Sequence, residues 1–398
     1  MLAGCGGEPD RARSPIDPID AFLTRHWVDP LPPQGNPPDG FAALEASLAP
    51  DDCGGCHAEQ YAQWRASLHS HTMSDGIAWQ LALMDQGQGN KCLRCHAPLA
   101  EQKALVALRH GWPNAPTSAP PSYVPADLAD QGLVCAACHV RAHQRFGPPA
   151  RTERAPVDAP HGGFQPEAAF EDSRFCAFCH QFPETGPRVN GKLQEDTYTQ
   201  WLASPHASEQ TCQSCHMPER RHEFRGIHDP EMVRRALRLA LDVDRVASDR
   251  VAARLRVSNT GAGHHFPTYM VPKVTVVFSL VNPQTGAVLD VGRQVIGWQV
   301  DVALTQELFD TRIPAGGQRL MTQEFDLSPD MKDWEVEVRL EVAPKEHYER
   351  MFTESLAQAD RLPDAVVTKL RAALNQARAA RFEALRLRAK IPETSIAN

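Results

Sequence analysis

The clearest patterning lies in the second half of the chain. From Val251 to Val257 apolar and polar residues alternate, which is the period of a half-buried strand. Lys273–Val281, Ala287–Val291, Val295–Val302, Leu320–Leu327 and Trp334–Val342 also read as strands. Pro283-Gln-Thr-Gly286 fits a turn between two of them. Short strands in succession over residues 249–343 predict a small antiparallel β-sandwich. Helical spacing flanks it. Pro230 to about Asp242 predicts a short amphipathic helix opened by proline, and 345–360 and 363–390 predict two more. Val367, Leu370, Leu374 and Ala377 stripe the last one. Its seven Lys/Arg against two acids read as a solvated basic face.

The first half lacks such a pattern. Fourteen prolines lie between residues 53 and 216, which leaves no room for long helices. Apolar periodicity is poor there, so this stretch has little core of its own. Residues 6–50 carry nine prolines and read as a semi-rigid tether. The predicted fold is therefore multidomain. A tether at 1–50 precedes a mainly helical and irregular domain at 51–244, a β-sandwich at 245–343 and C-terminal helices at 344–398.

Cysteine placement says what fills the missing core. Ten of the eleven cysteines fall in five copies of one pentapeptide. The copies are Cys53-Gly-Gly-Cys56-His57, Cys92-Leu-Arg-Cys95-His96, Cys135-Ala-Ala-Cys138-His139, Cys176-Ala-Phe-Cys179-His180 and Cys212-Gln-Ser-Cys215-His216. C-x-x-C-H is the attachment sequence of c-type haem. On a helical turn the two thiols and the histidine share one face, so the thiols can bond the porphyrin edge while the imidazole reaches the iron. Zinc sites join two separated Cys/His pairs, and no second pair completes any of these. A redox dithiol calls for a neighbouring βαβ pattern, and none is visible. Disulfides do not require a histidine after every second cysteine. Five covalently attached haems c are expected.

Each iron takes a second axial ligand, and twelve of the seventeen histidines lie outside the motifs. A second repeat bears on them. Tyr61-Ala-Gln-Trp64-Arg-Ala-Ser-Leu-His69 and Tyr198-Thr-Gln-Trp201-Leu-Ala-Ser-Pro-His206 agree at six of nine positions. Both end in a histidine able to serve as sixth ligand. In the sandwich, Gly261-Ala-Gly-His264-His265-Phe-Pro-Thr268 sets two histidines in a rigid turn. Met73, Met84 and Met270 are substitutes whose ordinary place is core packing.

Net charge is −8 before haem propionates are added, which disfavours a nucleic-acid partner. No apolar run is long enough to span a membrane. Leu2-Ala3-Gly4-Cys5 resembles a bacterial lipobox, with Cys5 as the lipidated residue. Gly6 after it implies outer-membrane sorting. The four preceding residues hold neither the charged nor the apolar part of a signal peptide, so a start further upstream is expected. Export, to the periplasm or cell surface, also suits thioether attachment.

Cys212-Gln-Ser-Cys-His216-Met-Pro218 resembles a segment of the multihaem cytochrome c superfamily, which includes hydroxylamine oxidoreductases, pentahaem nitrite reductases and the tetrahaem carriers of ammonia oxidisers. His222-Glu-Phe-Arg-Gly-Ile-His228 is similar to a stretch that often follows it. Gly261–Thr268 resembles a Gly-Ala-Gly-His-x-x-Pro-Thr loop of β-domains fused to such cytochromes, with Tyr269 where glycine is usual. The resemblance covers roughly residues 51–340. It implies His69, His161, His222, His228 and His264 as distal ligands, with His206 and His110 in reserve.

Two imidazoles per iron leave no site for substrate and set low potentials. The expected role is single-electron transfer between redox partner proteins, with the membrane reached through Cys5. A rival is an oxidoreductase acting on a small nitrogen or sulfur compound at one five-coordinate haem. Pentahaem nitrite reductases carry a Cys-x-x-Cys-Lys motif, and this chain has none. Hydroxylamine oxidoreductases add a crosslinked tyrosine, and Tyr198 is the one tyrosine between the last two motifs. A third role is docking through the β-domain or self-association into an array. Mass measurement on the exported protein is expected to show five added haems; no added tetrapyrrole would end this reading.

Overall fold

The computed structural model describes residues 17–151, 160–331 and 333–393. Within them the alternating stretch forms two antiparallel sheets. One orders Gln318–Asp326, Arg250–Asn259 and Leu237–Ala247; the other orders Phe382–Lys390, Glu335–Ala343, Lys273–Val281 and Val288–Ile296. Register follows the pleat. Val274, Val276, Phe278 and Leu280 point inward with Val336, Val338, Leu340 and Val342. They meet Val251, Ala253, Leu255 and Val257 of the facing sheet. Asn282 caps the predicted turn by accepting from the amides of Gln284 and Thr285, and Gly286 supplies the left-handed φ of +74°.

Two predicted helices end early. Pro230–Ala236 is helical, but Leu237–Ala247 is a strand paired with Arg250–Asn259. Asp364–Ala379 is helical, but Phe382–Lys390 is an edge strand on Glu335–Ala343. The residues in both segments are good helix formers, and sheet pairing overrides that preference. The sandwich therefore reaches outside 249–343 and takes in Leu237–Ala247 and Phe382–Lys390. The helical stripe is also one residue off: Val366 rather than Val367 is buried, beside Leu370, Ala373, Leu374 and Ala377.

That helix and Glu346–Leu356 pack on Trp79 of the haem-motif half. Four of the basic residues on the expected solvated face stay about half exposed while pairing with acids of this chain. Arg378 and Arg381 hold Glu349, and Arg386 and Arg388 hold the buried Glu337.

Residues 17–50 are not a free tether. Asp17 caps a helix over Pro18–His26 by accepting from the Ile19 amide at 2.8 Å. Phe22, His26, Leu31 and Leu48 are buried, and the Leu48 amide donates to Tyr123 O at 3.0 Å. Proline limits helix length but not docking. The expected lipidation site, Cys5, lies outside the described residues.

The motif-bearing half contains only small apolar clusters, around Leu48 and Leu128 and around Leu81 and Leu93. The sandwich holds a larger core of its own. Chain made without cofactor is expected to keep its β circular-dichroism signal while losing much of its helical signal. Phe278→Ala should then cost about 3–5 kcal/mol in denaturant unfolding of that β signal.

Candidate haem sites

Each motif closes a short helical segment. Four lie in or end Gln86–His96, Cys135–His139, Arg174–His180 and Cys212–His216. The first opens in Pro50–Gly54 and runs on to His57. A capping box from Thr211 starts the last, with Thr211 Oγ1 accepting from the Ser214 amide at 3.2 Å.

Three motif histidines face a second imidazole. Ring centres lie 6.4 Å apart for His180 and His69, 6.1 Å for His139 and His222, and 6.3 Å for His216 and His264. The last two rings are within 11° of parallel. A metal with an imidazole nitrogen about 2 Å away on each side would space ring centres by roughly 6 Å. The gap in each pair therefore fits one iron.

Hydrogen bonds orient the rings for that use. Nδ1 donates to a backbone carbonyl in His139 (Phe146, 2.7 Å), His216 (Arg225, 2.5 Å), His222 (Arg220, 2.9 Å) and His264 (His265, 2.8 Å). His96 does the same to Thr72 O at 2.7 Å, and His161 to Gly163 O at 2.8 Å. This fixes the tautomer that leaves Nε2 for a metal. Burial favours the neutral ring, pushing His69 down to about 3 and His139 and His264 to about 4. A neutral imidazole is the form that ligates.

The remaining histidines sort by their partners. His161 hangs from Glu45 through its backbone amide at 3.0 Å. Arg145 donates to the Glu45 carbonyl at 2.6 Å. Burial, with the Lys345 ammonium, pushes His228 down to about 4 and so favours its neutral ring. His26 and His143 spend Nε2 on the carbonyls of Cys138 and Gly35. His110 stacks on Trp112 with centres 5.5 Å apart. His206 lies against Gly263, where an added Cβ would come within 3.4 Å of it.

Packing orders the motifs in space. Pro50–Gly54 lies against Cys135–His139, and Gln86–His96 against Arg174–His180. Phe170 stacks on His139 and lies 4.5 Å from Phe175 of the fourth motif's helix. The Cys212 amide donates to Ser173 Oγ at 3.0 Å. The first motif thus adjoins the third, and the fourth adjoins the second, third and fifth.

Residues 52–114 match the family model described as cytochrome c554 and c-prime, so this segment is similar to that family. The crystal structure of a penta-heme cytochrome c552 from Thermochromatium tepidum superposes with a TM-score of 0.55 at 18% identity, over 87% of this chain and 100% of that one. It shows a shared fold. A structural-genomics target, SoR45 (TM-score 0.20, 10% identity, 39% of this chain and 88% of that one), carries no argument. Nor does a β-glucosidase from Kluyveromyces marxianus (0.15, 17%, 27% and 12%). No curated protein matches the sequence.

The sandwich is fastened to the motif half beside His264. Asn259 donates to His264 O at 2.8 Å and to Ile313 O at 3.1 Å. Lys192 reaches Glu307 at 2.8 Å and Asp310 at 2.7 Å. Arg312 pairs with Asp310 at 2.7 Å, donates to Thr268 O at 2.7 Å and stacks 4.6 Å over Trp298. Sequence reading missed this fastening, because lone charges in strands carry no local signal. Among the described residues, no helix is long and apolar enough to cross a membrane.

Burial pushes the Asp310 carboxyl up, but hydrogen bonds from Arg312 and Lys192 outweigh it and hold it below the usual range. A carboxyl depressed on folding stabilises above its unfolded pKa of about 4, and that contribution is lost as pH falls through the folded value. Asp310→Asn is expected to cost about 2–3 kcal/mol at neutral pH. Acid unfolding of the variant should show a correspondingly weaker pH dependence below about 4.

Proposed function

We propose that the chain is a pentahaem electron carrier of the periplasm or cell surface. The observation that carries this is the set of three facing imidazole pairs at 6.1–6.4 Å, each joining a motif histidine to one outside the motifs. Haem c, when bound, supplies a one-electron iron centre. The ten motif cysteines would attach five haems, and His57, His96, His139, His180 and His216 would ligate from the proximal side. His69 would face His180, His222 would face His139 and His264 would face His216. His161 is assigned to His57 and His228 to His96.

The chain's own work is to hold both ligands neutral, buried and aimed. Nδ1–carbonyl bonds raise the ligating power of Nε2 and lock ring orientation. With an imidazole from each of two histidines, a bound haem would favour electron transfer over substrate chemistry and have a lower potential than with a His/Met pair. Motif adjacency supports a connected set, with the fourth motif as the junction between the first and third on one side and the second and fifth on the other. The penta-heme character of the Thermochromatium tepidum protein, which shares the fold, agrees with the count. Redox partner proteins would exchange the electrons. An anchor at Cys5 and self-association belong to the same reading.

Carbon monoxide binding to the reduced holoprotein tests it. Wild type is expected to bind none, and His69→Ala, His222→Ala and His264→Ala should each open one haem in five. Stoichiometric binding by wild type would favour the oxidoreductase reading instead.

A further inference from the structure

The nonapeptide repeat has no role so far beyond the placement of His69. Its two copies fold alike. Each runs as an α-helix, Ala58–Ala66 or Thr197–Leu202, then a 3-10 turn, Leu68–His71 or Pro205–Ser208. In each, the serine amide donates to the tryptophan carbonyl at 2.9 Å.

Their long-range partners also correspond. The indole N–H of Trp64 donates to Leu133 O at 2.8 Å, and that of Trp201 to Gln210 O at 3.1 Å. Leu133 and Gln210 each stand two residues before the first cysteine of a motif, Cys135 and Cys212. Gln63 Oε1 accepts the backbone N–H of His222 at 2.8 Å. Gln200 Oε1 accepts the backbone N–H of His265 at 3.1 Å and the Thr268 hydroxyl at 3.0 Å. His222 faces His139 of the Cys135 motif, and His264 faces His216 of the Cys212 motif.

We infer that each repeat copy is a two-sided clamp on one haem, its tryptophan fixing the backbone that leads into the attachment motif and its glutamine fixing the loop that carries the opposing histidine. Copy one clamps the third haem and copy two clamps the fifth. Packing alone gives no reason for both copies to touch the two sides of one ring pair. The partners are far apart in sequence, 159 residues from Gln63 to His222 and 65 from Gln200 to His265. Gln63 is buried, and its Nε2 also donates to Glu59 at 2.8 Å. Gly263 lets the second ligand loop lie directly on the second copy, since a Cβ there would come 3.1 Å from Trp201. The histidines of the repeat do not share one duty: His69 faces the fourth motif's His180, while His206 packs on Gly263. The conserved work of the two copies lies in glutamine and tryptophan, which are positioning residues acting through the ligands.

This inference rests on the proposed haem reading, and the test separates the two. Gln63→Leu and Gln200→Leu are made in the full holoprotein, and haem count, low-spin electron paramagnetic resonance and stepwise redox titration are measured. Both variants are expected to retain five haems. Gln63→Leu should shift the one signal that His222→Ala abolishes, and Gln200→Leu the one that His264→Ala abolishes, with four of five signals unmoved in each. Gln200→Glu, which keeps the acceptor, should restore the wild-type signal. Shifts shared by both variants, spread over all five haems or absent altogether overturn the clamp while leaving the haem reading intact. A wild type without haem overturns the haem reading itself. Where a leucine variant loses haem, Trp64→Phe and Trp201→Phe, which remove only the indole N–H bond, decide by the same pairing of signals.

Discussion

A pair of neutral imidazoles held a metal's width apart is the constraint on which the motif half depends. Such a pair brings little apolar burial of its own, so its geometry must be imposed from outside. Backbone carbonyls do much of this, taking the Nδ1 proton of His139, His216, His222 and His264. Aromatic faces do the rest: Phe170 stacks on His139 with centres 5.1 Å apart, and Phe224 packs 4.2 Å from His69. The short, proline-broken segments follow from this demand. Many brief helices and turns can present a ring and a carbonyl from many directions, which one long helix cannot.

The sandwich is tied to the same demand. Its first two strands end at the loop that carries His264, and Asn259, the last residue of Arg250–Asn259, grips that loop. The Lys192–Glu307–Asp310–Arg312 network then fastens the far hairpin to the motif half. A self-sufficient core is thereby used as a rigid mount for one ligand. The rigidity comes from inward-facing Val, Leu and Phe that are fully buried in one large cluster, where the buried residues of the motif half are divided among smaller ones.

What was legible in the sequence follows the range of the physics. Period-two burial is local, so Lys273–Val281 emerged with its observed bounds. Attachment chemistry is local too, and the five motifs stand out at once. Leu237–Ala247 and Phe382–Lys390 were hidden because Ala, Leu and Arg suit a helix as well as an edge strand, and only the partner strand decides. The packing of Phe22 and His26 was hidden for a related reason: a proline-rich composition says how a segment bends, not what it lies against. His69 came from the nonapeptide repeat, His264 from its rigid turn and all three, with His222, from resemblance; the structure places each opposite a motif histidine. Which motif each one meets is a property of the folded chain alone.

The unequal cores also bear on how the sites can form. The sandwich needs only its own strands, whereas the pairs His69/His180 and His139/His222 bring together residues more than eighty apart in a region of small clusters. Ordering such a region costs roughly 1–2 kcal/mol per residue in backbone entropy, which clusters of this size do not offset. On the proposed haem reading, the histidine pairs therefore close around their metal rather than wait for it. The His216/His264 pair differs, because one of its two rings already stands on a folded mount. The fifth site is then the one whose geometry the polypeptide can set most completely before the cofactor arrives, and it is the site where the two halves of the molecule become one.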